Sequence, residues 1–488
     1  MAPTANVATS TLVAHGTKLT ALAQIATQGS RLLTNIVLAR LLVPDDFGVV
    51  AIALVITMLM DQFKDAGTGS ALIQQETISD SLTNAVFRLN IAIGLVMTLA
   101  VFFLAAPLSS LLGSTSATPF LQAMSSVVII GSLGHVHNSL LRRELRFGDA
   151  AWVTTISALT NAVVAIGAAL IGMGAWALVL GAVTSTAAGT VTSWRLSRWR
   201  PSRSADYRSL RGIMGYSLNL FGSNLMYFAF TQADKVLISR ALGTAPLGAY
   251  ALAQRTVMNP MQSVGSVVSE VVFPAFSRRQ DDNAAVAAGF RRMSRVVALV
   301  TFPAMAGMAA VADPLVPVLF GEQWRDLIPL VWVLGPLAAV MSVTSNSSQL
   351  LMAKGQTRWI LRWGILYGVL VIGAEIVGLR WGVVGVASAY ALSTLVLTPF
   401  GLALAFHFID LRLRTFLRDL VVQAALTIAM VGAVVASNTL TRGAGWSDIA
   451  VLATGMAVGT VTYVGLVALV RPPALPEAIA ALKSRRPT

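Results

Sequence analysis

The stretch "LARLLVPDDFGVVAIA", residues 38–53, returns two hundred residues later as "ISRALGTAPLGAYALA", residues 238–253. Arg40 falls on Arg240, Leu42 on Leu242, Gly48 on Gly248, Ala51 on Ala251 and Ala53 on Ala253. Further echoes keep the same order. "PLSSLLG" (107–113) resembles "PLVPVLFG" (314–321), and "GAWALVLGAVTST" (174–186) resembles "GVVGVASAYALST" (382–394). In the last pair Gly174, Ser185 and Thr186 fall on Gly382, Ser393 and Thr394, so the offset drifts only from 200 to 208. One match between apolar segments says little, because few letters are in use. Three in one order read as a chain built of two similar lobes, with the same helical hairpin opening each.

The solvent of those lobes is lipid. Of 488 residues, 56% are hydrophobic and 11% charged, where a soluble domain carries about a quarter charged. Uncharged runs such as "IAIGLVMTLAVFFLAA" (91–106), "LVVQAALTIAMVGAVVAS" (420–437) and "IAVLATGMAVGTVTYVGLVALV" (449–470) approach or reach the length of a spanning helix, which needs about 20 residues. The net charge of +14 would suggest nucleic acid on a soluble protein. Here the basic residues sit in short connections and read as membrane topology. No cysteine is present, so neither a disulfide framework nor thiolate chemistry is expected. "MAPTANVATSTLVAHG" at the start lacks a basic n-region, and no cleaved signal is expected.

Charged and Gly/Pro-rich turns divide the chain into fourteen expected spans. They lie near 18–42, 46–70, 83–106, 119–141, 149–172, 175–195, 212–240, 247–273, 291–311, 327–351, 358–378, 382–407, 415–437 and 448–470. Alternate connections are basic: "RRELRFGD" (142–149), "RLSRWRPSRSADYRSLR" (195–211), "SRRQDDNAAVAAGFRR" (277–292), "AKGQTR" (353–358) and "DLRLRTFLRD" (410–419), with the tail "KSRRPT" (483–488). The connections between them are neutral or acidic apart from a few arginines (Arg325, Arg380, Arg442). The positive-inside rule places the basic set and both termini in the cytoplasm. The expected fold class is therefore an all-α polytopic membrane protein of about fourteen transmembrane helices. Two pseudo-symmetric six-helix lobes, 1–200 and 201–410, surround a central cavity, and 411–488 adds two helices and a cytoplasmic tail. An even number of spans per lobe gives both lobes the same orientation, the parallel-repeat plan of transporters that rock about a path between lobes.

Polar residues inside these spans mark the expected path, because a charge facing lipid is costly and such residues turn to a cavity or a partner. Gln24, Gln28, Arg31 and Asn35 share one face of the first span, by their spacing of four, three and four. The seventh span carries Asn224, Thr231, Asp234 and Lys235, and the eighth Arg255, Asn259, Gln262, Ser266 and Ser269. The tenth carries Ser342, Ser345, Asn346 and Gln349. Arg31 lies about 20 Å from the cytoplasmic start of its span and Arg255 about 12 Å from the opposite end of its own, which puts both in the middle of the bilayer. The candidate substrate-binding set is Arg31, Arg255, Lys235, Gln28, Asn35, Asn259, Gln262 and Asn346, a cationic cavity suited to an anionic, polar substrate. Asp61, Lys64, Asp65 and Arg88 fall toward the cytoplasmic mouth and form a candidate gate, though the first three read equally as a helix-end ion pair. Asp234 and Glu375 are candidates for ion coupling, and Asp234 and Lys235 also read as a mutually neutralising pair. Arg40 and Arg240 sit at outer helix ends and read as snorkelling anchors.

Other signals point to structure. His135 and His137 are two apart on a helix and face different ways, so no metal site is expected. Gly364/Gly368 and Gly455/Gly459 form G-x-x-x-G pairs that suit close helix packing, and the glycines of "DAGTGSALIQ" (65–74) suit a hinge at the end of the second span. No Walker A motif is present, so no ATPase motor is expected on this chain. No outer connection exceeds about 15 residues, too short for an external catalytic domain; no catalytic residue and no cofactor are expected.

"LARLLVPDDFGVVAIALVITMLMDQFKDAGTGSALIQQ" (38–75) resembles the opening hairpin of the Wzx-type polysaccharide-transporter flippases. These belong to the multidrug/oligosaccharidyl-lipid/polysaccharide exporter superfamily. The residues that carry the likeness are Ala39, Arg40, Leu42, Pro44, Asp46, Phe47 and Gly48, then Asp65, Gly67, Gly69 and Ala71 to Gln74, and "RFGDAAW" (146–152) is similar too. The resemblance implies a bacterial inner-membrane flippase rather than an enzyme. It would move an undecaprenyl-diphosphate-linked oligosaccharide from the cytoplasmic to the periplasmic leaflet by alternating access, for capsule, exopolysaccharide or O-antigen assembly. A polysaccharide polymerase and chain-length machinery are implied partners. Three alternatives stand beside it: a lipid-linked peptidoglycan-precursor flippase, a cation-coupled drug antiporter of the same superfamily, and a membrane enzyme of envelope glycan assembly.

Overall fold

The computed structural model describes residues 27–65, 69, 72, 78–278 and 282–483, and among them the chain is helical with no strand. Among the described residues each expected span lies on helix, one of them on two. The first is α1 (27–41); it is followed by α2 (Pro44–Asp65), α3 (Asp80–Leu111), α4 (Thr118–Arg143), α5 (Phe147–Leu170), α6 (Ala175–Leu196) and α7 (Tyr207–Leu242). Then come α8 (Thr244–Arg278), α9 (Asn283–Ala310), α10 (Leu327–Thr344), α11 (Thr357–Gly378), α12 (Gly382–His407), α13 (Leu413–Gly443) and α14 (Asp448–Val470). Ten helical stretches are long and apolar enough to cross a membrane, one of them, Arg358–His407, holding both α11 and α12. Helices α1, α7 and α8 bring the total to fourteen. The early part of the first span and most of the glycine-rich "DAGTGSALIQ" stretch lie outside the described residues.

Local chemistry sets the helix ends. Ser79 caps α3 by accepting from the Leu82 amide at 3.1 Å, and Asp282 caps α9 by accepting from the Ala285 amide at 2.9 Å. Asp45 and Asp46 occupy the first turn of α2, where the helix dipole favours negative charge. Pro119 sits in the first turn of α4, where its missing amide costs nothing. Between the ends, large apolar side chains face outward: Phe103 is 74% exposed, Val163 72% and Leu469 80%. On a soluble surface these would be liabilities; on a multi-pass membrane protein they meet acyl chains.

The chain forms two compact units, Met1–Gly248 and Ala249–Thr488. In the first, α4 packs against α2, α3 and α6, and α5 against α6. An aromatic box fills the space near the basic ends of these helices: the His137 ring stacks on Trp194 at 4.4 Å, with the edge of Phe87 6.0 Å from the same ring. His137 is thus a core residue, and among the described residues no group of side chains could hold a metal ion.

In the second unit α9 packs against α10 and α13, α11 against α12, and α13 against α14. Helices α9 and α13 run parallel. Arg291 donates to Asp419 at 2.9 Å near one end, and the Asn438 amide donates to the Ala310 carbonyl at 3.1 Å near the other, both across 128 residues. Arg295 bonds Glu477 at 3.2 Å and ties the short helix Ala474–Lys483 to the same end.

One span differs from expectation. The run 327–351 is not one helix: α10 stops at Thr344 and resumes as Ser347–Ala353. Its sequence there is "SVTSNSSQ" (342–349), and such side chains compete with the backbone for its own hydrogen bonds. Ser348 does so, donating to the Ser345 carbonyl at 3.2 Å.

The two G-x-x-x-G pairs separate. A Cβ on Gly455 would lie 2.7 Å from Asn438 Oδ1, and one on Gly459 would lie 3.0 Å from a Val434 methyl, so this pair sets the close packing of α13 on α14. Gly364 meets nothing within 4 Å. Gly455→Leu is expected to destabilise the protein by about 1–3 kcal/mol through overpacking. Gly364→Leu is expected to be near neutral. Thermal unfolding of the two variants in detergent checks the contrast.

Candidate functional site

The hairpin that opened the sequence analysis is built around its glycine. Asp46 folds back on the turn between α1 and α2, its carboxylate accepting from the Val43 amide at 3.2 Å. Phe47 behind it is buried. With the turn so fixed, Gly48 faces the start of α8: a Cβ there would lie 1.9 Å from the Thr244 carbonyl oxygen. The contact is reciprocal, since a Cβ on Gly248 would lie 1.9 Å from the Pro44 carbonyl oxygen. Pro44 and Thr244, like Gly48 and Gly248, are two hundred residues apart. The repeated turns therefore pack on each other through their shared glycine, and the Thr244 hydroxyl donates to Asp45 across the seam. Only a residue without a side chain fits at either position.

The arginine that the repeat writes twice is architectural at its second copy. Arg240 donates to the Leu111 carbonyl at the end of α3, and Ser239 beside it donates to Leu112. These are carbonyls that a helix end leaves without an intrahelical donor. Arg40 is exposed. The second stretch that carried the family likeness has a similar account. Arg146 donates to Asp149 at 2.7 Å and to the Leu196 carbonyl at 3.0 Å, tying the α4–α5 turn to the end of α6. Partial desolvation works against its charge, but the bonds to Asp149 and then Glu144 outweigh it and raise its pKa above the usual arginine value.

Of the residues expected on the path, the first unit holds Gln28, Arg31, Asn35, Asp234 and Lys235. On α1 the buried side is Thr27, Thr34 and Leu38, with Thr27 3.3 Å from Thr155 of α5. Arg31 is exposed, and Gln28 and Asn35 are half-buried. On α7 Asp234 is buried, and Lys235 Nζ lies 3.6 Å from its carboxylate. The Lys235 backbone amide also donates to that carboxylate, at 2.7 Å. These neighbours in sequence are brought together as an ion pair. The side chain of Asn224 lies outside the described residues.

In the second unit Arg255 is half-buried, Asn259 exposed, and the side chain of Gln262 outside the described residues. Asn346 is buried and sits at the break between α10 and the short helix after it. Glu375 on α11 is buried with 2% exposure.

The expected cytoplasmic mouth divides. Asp61 is half-buried, and the side chains of Lys64 and Asp65 lie outside the described residues. Arg88 is a loop clamp: its guanidinium donates to the carbonyls of Ser202 at 3.1 Å and Arg203 at 2.7 Å. One turn earlier Asn84, 1% exposed, donates to the Ser202 hydroxyl at 2.8 Å and accepts from the Ser202 amide at 2.7 Å. Sequence reading missed Asn84; the signal was its spacing of four from Arg88 on one helix face. Asn84→Ala removes both bonds to the exposed Ser202, whose amide can then turn to water, and is expected to cost about 0.5–1.5 kcal/mol of stability. Arg88→Ala is expected to quicken tryptic cleavage within 198–203 without lowering the melting temperature as much. Limited proteolysis and thermal melts check both.

The family model for polysaccharide biosynthesis proteins matches residues 37–329. The succinoglycan biosynthesis transport protein ExoT of Rhizobium meliloti is 32% identical over 379 residues, covering 78% of this chain and 76% of that protein. The lipopolysaccharide biosynthesis protein WzxC of Escherichia coli is 26% identical over 386 residues, 78% of each chain. Among solved structures, a lipid II flippase MurJ in an inward closed conformation superposes with a TM-score of 0.71 at 15% identity, covering 92% of this chain and 98% of that one. At that identity the likeness is one of fold.

Proposed function

The chain belongs to the polysaccharide biosynthesis protein family of multi-pass membrane transporters, and from that premise we propose that it flips a lipid-linked oligosaccharide across the bacterial inner membrane. The substrate is an undecaprenyl-diphosphate-linked glycan, moved from the cytoplasmic to the periplasmic leaflet for polysaccharide export. The observation that carries this reading is the 32% identity to a succinoglycan transport protein across 76% of that protein's length.

In this reading the two repeats, 1–200 and 201–410, rock about a shared path. Arg31, Arg255 and Lys235 draw the diphosphate inward, while Gln28, Asn35, Asn259, Gln262 and Asn346 hydrogen-bond its sugars. Arginine suits the task because its planar fork matches phosphate oxygens two at a time. The polyprenyl chain stays in the bilayer, since carrying it through a polar path would cost its burial in lipid. Asp61, Lys64 and Asp65 guard the cytoplasmic mouth, and Asp234 or Glu375 couples movement to an ion gradient. Both termini lie in the cytoplasm, and the polymerase and chain-length machinery receive the flipped glycan.

A cell-based experiment tests the function. In a host whose own flippase is deleted, the chain is expressed with the glycosyltransferases that build a lipid-linked oligosaccharide. Access of that glycan to a periplasmic lectin is then read in spheroplasts. Labelling that depends on the chain supports the reading. Lectin-inaccessible glycan accumulating in cells that express the chain well would count against it.

A further inference from the structure

Away from the expected path, the second unit carries a groove of about 410 Å³ between α9, α10 and α13. Its floor is small and apolar: Ala306, Ala309 and Ala310 from α9, Pro336 from α10, and Val431 and Val435 from α13. Trp332 forms one wall and is 48% exposed, and the neighbouring surface carries Val435 at 46% and Leu440 at 74% exposure. Such a flank on a spanning helix pair meets acyl chains, so the groove opens to lipid. Its rim is charged. Arg442 lies 3.8 Å from Asp313 on one side and 3.8 Å from Asp448 on the other. All three are partly open, with side chains 42%, 37% and 39% exposed.

We infer that this groove is a binding site for one zwitterionic phospholipid of the phosphatidylethanolamine type. An acyl chain lies on the alanine floor beside Trp332, the ammonium sits between Asp313 and Asp448, and the phosphate meets Arg442. Three observations select that occupant. First, the floor is apolar and the rim ionic, which matches the two halves of a phospholipid and fits a free sugar or a peptide poorly. Second, the pairs at the rim are loose. At 3.8 Å with no hydrogen bond, Arg442 keeps donors for a phosphate and the aspartates keep oxygens for an ammonium. Third, the rim is net negative. Arg325, paired with Glu322, is electrostatically coupled to Asp448 and Asp313. Counting these groups, three carboxylates (Asp313, Glu322, Asp448) face two guanidiniums (Arg325, Arg442), a net charge of 2 − 3 = −1. A head group that brings an ammonium is attracted, while an anionic one such as phosphatidylglycerol is repelled. A divalent cation bridging the carboxylates is not supported, since no metal-holding group occurs among the described residues.

The test uses the full chain in nanodiscs and the fluorescence of Trp332. The chain has ten tryptophans, so the Trp332 contribution is taken as the difference between the native chain and Trp332→Phe. Brominated phosphatidylethanolamine is titrated into unlabelled phosphatidylglycerol, and the reverse. The expected result is half-quenching of Trp332 at a mole fraction on the order of five-fold lower for the brominated ethanolamine lipid. Asp313→Asn with Asp448→Asn is expected to remove that preference, and these half-exposed substitutions leave the core intact. Ala306→Leu fills the floor and is expected to remove the preference, leaving only the equal quenching that annular lipid gives the exposed face of Trp332. Equal quenching by the two lipids, unchanged in the aspartate variant, would reduce the groove to ordinary annular contact and overturn the proposal. So would preferential quenching by brominated phosphatidylglycerol.

Discussion

Gly48→Val and Gly248→Val are each expected to abolish transport in protein that is still made and inserted. The reason is the reciprocal seam between the two repeated turns. A Cβ at either glycine would sit 1.9 Å from a backbone carbonyl oxygen of the other turn. A flexible side chain could swing aside; a carbonyl held in the first turn of a helix cannot. Overpacking of this kind costs about 1–3 kcal/mol where neighbours can adjust, and each 1.4 kcal/mol shifts an equilibrium about ten-fold. The closed seam would become a minor state, and in the proposed alternating-access cycle transport would then stop. Because the native chain has no cysteine, Asp45→Cys with Thr244→Cys gives a clean reporter across the seam. Oxidative cross-linking of that pair is expected to fall when either valine is added. Full transport by Gly48→Val would show that the seam need not close.

Asp234→Ala is expected to give the second large effect, and on the amount of folded protein rather than on transport alone. The pair it forms with Lys235 is well sheltered, with side chains 8% and 17% exposed. Removing one partner of a buried pair costs about 3–5 kcal/mol because the other charge is left uncompensated. Removing both is far milder, so Asp234→Ala with Lys235→Met is expected to recover expression and melting temperature. Transport by that double variant then assigns the pair a structural role. A double variant that folds but has lost transport supports substrate binding by Lys235 or ion coupling through Asp234. If Asp234→Ala alone folds as the native chain does, the pair carries no stability.

Much of this was legible in the sequence because a membrane simplifies reading. Each span announces itself as an apolar run, and each turn as charge, glycine or proline, so fourteen helices could be placed from "RRELRFGD", "AKGQTR" and their kind. The repeat was legible too, but its consequence was not. Nothing in "LARLLVPDDFG" says that Gly48 packs on the turn two hundred residues later, since a close approach is a tertiary fact that a glycine allows without declaring. The break after Thr344 was written in "SVTSNSSQ" and overlooked because hydropathy alone joined the two pieces. Arg88 shows what sequence leaves out. A charge near the expected mouth suggested a gate, yet the arginine spends its donors on loop carbonyls at 2.7 and 3.1 Å. Charge and depth can nominate a residue for a path, and only its hydrogen bonds tell whether it is already occupied.

The central claim is that the chain moves a lipid-linked glycan and uses Arg31 and Arg255 to hold its diphosphate. The most direct measurement reconstitutes the purified chain in proteoliposomes with an undecaprenyl-diphosphate-linked oligosaccharide. The arrival of glycan in the opposite leaflet is timed with an enzyme confined to one side. The account predicts flipping by the native chain and loss on the order of a hundred-fold in Arg31→Ala or Arg255→Ala, the worth of about two charge-assisted hydrogen bonds to phosphate. Flipping that survives both substitutions would contradict the cationic site. No flipping of any lipid-linked glycan, beside proton-driven efflux of organic cations, would contradict the function itself.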